Sequence, residues 1–180
     1  MIQYEVANSP FFQTNKNYCE NIENELNQIN IDCSGYCNSY GYEMEATFNK
    51  NNLTYGLRFH KHQSTQNGII IPTDATDYAG IEITVTGLNN KFNIKVGRSA
   101  IGRFFTSKTF KNKIPSPYYI KVNQPLDTIL ADKLIKYILD SKISKFDLKN
   151  GILMCKIHQE TTNPLSLIAG IERIIIDWEQ

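Results

Sequence analysis

Cys19, Cys33, Cys37, His60 and His62 are the residues of this chain that could be assembled around a metal ion. Thiolate and imidazole are the ordinary ligands of tetrahedral zinc. Alternation along a strand would put His60 and His62 on one face. Against this, Cys33-x-x-x-Cys37 is not the compact paired pattern of a zinc module, and no second CxxC-like knuckle accompanies it. Cys19 fits the apolar stripe of a helix, and Cys155 points to the core with Phe146. Buried reduced cysteine is common packing. All four cysteines are therefore expected to be reduced and metal-free, two on apolar stripes and two in a polar connection, and no cofactor is expected.

Nucleophilic chemistry has one candidate, Ser99 in the segment VGRSAIGR from Val96 to Arg103. Gly97 and Gly102 flank it unequally, so the segment misses the strand–turn–helix nucleophile elbow. The three histidines, His60, His62 and His158, carry no triad context. Ser99 reads better as a helix cap, with the glycines as turn residues. No catalytic residue is assigned. A small hydrolase or transferase with a site near Ser99 and the histidines stays as the alternative to a non-enzymatic module.

The charge distribution points elsewhere. Between Glu82 and Asp127 there is no acid, while Lys91, Lys95, Arg98, Arg103, Lys108, Lys111, Lys113 and Lys121 fall in that gap. The 82 residues before it hold ten acids and four bases, and the 54 from Asp127 onward hold eight acids and seven bases. A net charge of +1 thus hides an internal asymmetry that suits an anionic partner or a self-complementary surface. Lys95, Arg98, Ser99, Arg103, Lys108 and Lys111 are the expected anion-binding residues. Phe92, Phe104, Phe105, Phe110, Tyr118 and Tyr119 are interleaved with the cations, a mixture suited to single strands or acidic membranes. Phe92 and one of the paired phenylalanines are expected to serve the core. A pI near 7.6 weighs against a dedicated nucleic-acid binder. A protein partner, a homo-oligomer or another anionic macromolecule is the expected use; the alternative is that the loop cations pair with the acid-rich N-terminal part, within the fold or across a dimer.

The elements that must position these groups follow from periodicity. Residues 2–7 alternate weakly as a strand, and 11–30 form an amphipathic helix started by Asn8 or Ser9 before Pro10. Tyr42 to Phe48 and Leu53 to Phe59 alternate as a hairpin around Asn49-Lys50-Asn51-Asn52. A four-residue loop there pairs Met44 with Leu57 and places Glu43 opposite Arg58. A second hairpin is expected over 81–97, turning at Asn89-Asn90 and pairing Val85 with Ile94 and Ile83 with Val96. Residues 117–122 form a short strand, and a helix spans about 125–142 from Pro125. The third hairpin turns at Asn150-Gly151, pairing Leu148 with Leu153 and Phe146 with Cys155. A last helix opens at Asn163 and Pro164 and carries a stripe ending in Trp178.

The sum is one α+β domain over 1–180: an antiparallel sheet built from hairpins, with about three helices packed on one face. Its 180 residues suffice to bury a core without a metal or disulfide. No stretch reaches the ~18 apolar residues of a membrane span, and the start lacks the pattern of a signal peptide. A cytoplasmic binding or interaction module is expected, acting through 91–121.

Overall fold

The computed structural model describes residues 1–62, 65–66, 69–70, 78–89, 92–161 and 163–179; the side chains of 65–66, 69–70, 78 and 177–179 lie outside the description. In chain order the elements are β1 (Ile2–Tyr4), α1 (Pro10–Asn27), β2 (Cys33–Asn38), β3 (Gly41–Lys50), β4 (Leu53–His62), β5 (Thr65–Gln66) and β6 (Ile69–Ile70). There follow β7 (Tyr78–Thr86), β8 (Ile94–Arg98), β9 (Tyr118–Val122), α2 (Thr128–Asp140), β10 (Ile143–Lys149), β11 (Ile152–Ile157) and α3 (Pro164–Glu179). Two 3-10 turns, Gly102–Phe105 and Lys108–Phe110, lie between β8 and β9. The fold is α+β; among the described residues it has three helices and a nine-stranded sheet in the order β1-β2-β3-β4-β7-β11-β10-β8-β9.

The sheet is mixed, which corrects the purely antiparallel expectation. β1 pairs β2 in parallel, Ile2 against Gly35 and Tyr4 against Cys37. The connection between them is α1, and a helical crossover is what returns a chain to run parallel to its neighbour. Residues 33–38 are accordingly a strand with both cysteines buried, not a polar connection.

Helix boundaries follow their capping chemistry. Pro10 opens α1 after Ser9, as expected. Asn30, at φ 57°, ends it: the Ile31 N–H donates to the Leu26 carbonyl, so the helix stops before Ile29 instead of running to 30. In α2 the cap is Asp127, whose carboxylate accepts from the Ile129 N–H at 2.8 Å, so Pro125 lies outside the helix. Asn163 accepts from the Ser166 N–H at 2.9 Å and caps α3. Gly170 lets α2 and α3 close on each other, since a Cβ there would stand 2.2 Å from the Tyr137 ring. Trp178 belongs to α3 by its backbone; its side chain is outside the described residues.

Two hairpins hold and one does not. Asn150 and Gly151, both at positive φ, turn β10 into β11 and pair Leu148 with Leu153 and Phe146 with Cys155. Asn51 and Asn52, at φ 51° and 63°, make a two-residue turn between β3 and β4 in place of a four-residue loop. The register therefore moves by two: Met44 pairs Phe59, and Arg58 stands opposite Glu45. A shift of two keeps every side chain on its face, so Met44, Leu57 and Phe59 remain buried.

The expected 81–97 hairpin is not formed. β7 is flanked by β4 and β11, pairing Ile83 with Leu57 and Cys155, while β8 pairs β10 and β9. Gly87, at φ 91°, turns the chain out of the sheet, and the Leu88 N–H donates to Gly151. Its expected turn falls partly on Asn90, outside the described residues, as does Lys91.

Candidate functional site

Strand alternation places Lys95 and Lys121 on the polar side of β8 and β9, because Ile94, Val96 and Ile120 are buried on the other. The two lysines are direct cross-strand partners. Asp147 of β10 stands on the other flank of Lys95, but its carboxylate pairs with Lys145 at 3.2 Å. A groove of about 440 Å³ joins Lys95, Lys121 and Lys149 with Asn93, Asn123 and Asp147. The Asn123 side-chain oxygen accepts from the Asn93 N–H at 2.7 Å and ties the strand ends together.

The connection from 99 to 117 wraps this edge. Tyr119 faces Gly97 across the strand pair, and its ring lies where a Cβ of Gly97 or of Gly102 would be, at 2.8 and 2.5 Å. Both glycines of the VGRSAIGR segment thus make room for one ring. Ser99 Oγ accepts from the Gly102 N–H at 3.0 Å, just before the first 3-10 turn, whose N-cap residue is Ile101. The Arg103 guanidinium donates to the Ile114 carbonyl at 3.3 Å, and the Ser107 N–H donates to Ile120 at 2.9 Å, covering the free edge of β9. Phe110 is fully buried against the α2 side.

That wrapping leaves Ile101, Phe104 and Phe105 outside, 73%, 84% and 62% exposed. Neither of the paired phenylalanines serves the core; Phe110 does, and Phe92 is partly buried against it. The Lys121 ammonium sits 4.5 Å from the Phe105 ring centroid.

The six expected anion-binding residues divide by what they already touch. Lys95 is exposed in the groove. Arg98 lies over the Tyr118 ring at 5.4 Å, Ser99 accepts from the Gly102 N–H, and Arg103 holds a carbonyl. Lys108 and Lys111 are exposed around the second 3-10 turn. Lys113 is the cation of this stretch with an ion-pair partner among the described residues, Asp132 of α2 at 2.7 Å. Lys121, Lys149 and the exposed apolar trio complete the arrangement. Lys149 was outside the acid-free stretch in sequence, and only the β10–β8–β9 pairing brings it near.

The remaining candidates are kept apart by the sheet. Cys33 and Cys37 face the core with Cys19, whereas His60 and His62 project from the opposite side of β4. Cysteines and histidines therefore cannot ligate one ion together. All four thiols are free and buried. Burial pushes Cys33 up to about 11 and Cys155 up to about 12, far from a reactive thiolate. His60 is buried and its pKa lowered, first by that burial. Ser99 follows β8, and β10, β11 and β7 separate that strand from the histidines of β4. Neither the 440 Å³ groove nor a cavity of about 450 Å³ between α2 and α3 is lined by Ser99 or a histidine.

No protein-family model, no curated protein and no solved structure matches this chain.

Proposed function

We propose that this protein is a binding module that engages an anionic partner through the β8–β9 edge of its sheet. One observation carries the proposal: Lys95 and Lys121 are held face to face, with Lys149 sharing their groove, so that its three cations outnumber its one acid, Asp147, which also pairs with Lys145. Like charges directly opposite on a strand pair destabilise a sheet by about 0.2–1 kcal/mol. An anion seated between them relieves that repulsion. The core anion contacts are Lys95, Lys121 and Lys149, with Lys108 and Lys111 as outlying cations; Arg98, Ser99 and Arg103 shape the edge that holds them.

The sheet is read as built largely from hairpins, with the three helices on its apolar side, so that its polar side stays open to a partner. Among the described residues no helix is long and apolar enough to cross a membrane. Four free thiols support a cytoplasmic location. A small enzyme near Ser99 is the less supported reading, because three strands separate Ser99 from His60 and His62.

Retention on a heparin column at low salt tests the proposal, comparing the parent with Lys95→Glu/Lys121→Glu. The parent should be retained and elute earlier as salt rises, and the variant should pass through. Equal retention of both would place the anion site elsewhere.

A further inference from the structure

We infer that the anionic partner is the surface of a lipid bilayer, with Ile101, Phe104 and Phe105 entering the interface and the lysines meeting the headgroups. The inference rests on the proposed anion-binding edge and names its partner. Ile101, Phe104 and Phe105 are all largely exposed within five consecutive residues. They stand on a turn held at three points: by the Gly102 N–H bond to Ser99 Oγ, by the Tyr119 ring against Gly102, and by the Arg103 bond to Ile114. A rigid apolar knuckle of this kind costs solubility unless something covers it.

Its surroundings select the cover. Lys95, Lys121 and Lys149 line the adjacent groove against one acid, Asp147, and the sequence from Ile83 to Leu126 holds no acid. An apolar tip with a cationic flank matches the headgroup boundary of an anionic membrane, where apolar side chains enter and lysines stay at the phosphates. Each lysine near such a surface contributes about fivefold in partition. A single-stranded nucleic acid fits less well. Bases stack on aromatic faces, but Ile101 offers none, and the Lys121 ammonium sits over one face of Phe105.

The test is co-sedimentation of the full chain with phosphatidylcholine vesicles, with and without phosphatidylserine, alongside heparin retention and binding of single-stranded DNA. The variant is Ile101→Ser/Phe104→Ser, which alters exposed side chains and spares the Phe105–Lys121 contact. The expected result is binding that requires phosphatidylserine and falls about tenfold or more in the variant, with heparin retention unchanged. Heparin or single-stranded DNA binding without vesicle binding overturns the bilayer and leaves the anion edge standing. Vesicle binding indifferent to Ile101 and Phe104 likewise overturns the insertion. Failure of the parent to bind heparin, DNA or vesicles at low salt overturns the anion edge itself.

Discussion

Lys95 and Lys121 stand directly opposite each other on β8 and β9, and Lys121 also caps the Phe105 ring. Folding tolerates this repulsion, so the free protein gives up stability where it is proposed to bind. Lys121→Glu creates an attractive cross-strand pair with Lys95 and loses an exposed cation–π contact, terms of similar size, each about 1 kcal/mol or less. The melting temperature should therefore stay within a few degrees of the parent or rise, while polyanion affinity falls about tenfold or more. A large drop in melting temperature would show Lys121 to be a structural residue.

Arg58 reaches diagonally past Glu45, its direct partner, and places Nε 2.9 Å from Glu43 Oε1. The nearest Glu45 contact is longer, at 3.6 Å. Arg58 is well exposed, so the pair should contribute under ~1 kcal/mol. Double-mutant cycles with alanine should give the larger coupling for Arg58–Glu43. Stronger coupling to Glu45 would mean that the guanidinium follows the register in solution.

Gly102 and Gly97 both bear on the Tyr119 ring. Gly102→Ala should cost about 1–3 kcal/mol, because the new methyl overlaps the ring while the turn keeps its backbone. Tyr119→Ala in the same chain should cancel most of the clash term, leaving the cost of the lost ring. Denaturant unfolding of the four species checks it; full additivity would separate Gly102 from Tyr119.

The thiols give a pH prediction. Folded pKa values of about 11 for Cys33 and about 12 for Cys155 exceed the ordinary 8.5. A raised pKa means that the folded state holds its proton longer, so this stability is intact below about pH 8.5 and lost as pH climbs from there toward the folded values. Unfolding free energy should be lower at pH 10 than at pH 7, with Cys155 contributing about 1–2 kcal/mol of the fall. Cys155→Ala should show a smaller fall between the two pH values. An identical fall in parent and variant would contradict the assignment.

What was legible in the sequence was local. Asn150-Gly151 specified its hairpin because both positions need positive φ. The Asn49-Lys50-Asn51-Asn52 run offered several turns, and the register slipped by two; the Glu43–Arg58 pairing survived only because arginine is long enough to reach diagonally. Pairing of β7 with β4 and β11 was not legible, since a local hairpin over 81–97 satisfied the same alternation. Nor was the site's composition. The cations were visible as a run, but Lys149 joins them through strand order, and the exposure of Phe104 and Phe105 depends on where Tyr119 and Phe110 pack.

The most direct test is residue-resolved amide chemical-shift mapping of the protein titrated with a short sulfated or phosphorylated oligomer. The account predicts saturable shifts clustered at Lys95, Lys121, Lys149 and the neighbouring Phe105, collapsing with added salt. Shifts centred instead on the α2–α3 cavity, which Lys136 and Arg173 line, or none at low salt, would contradict it.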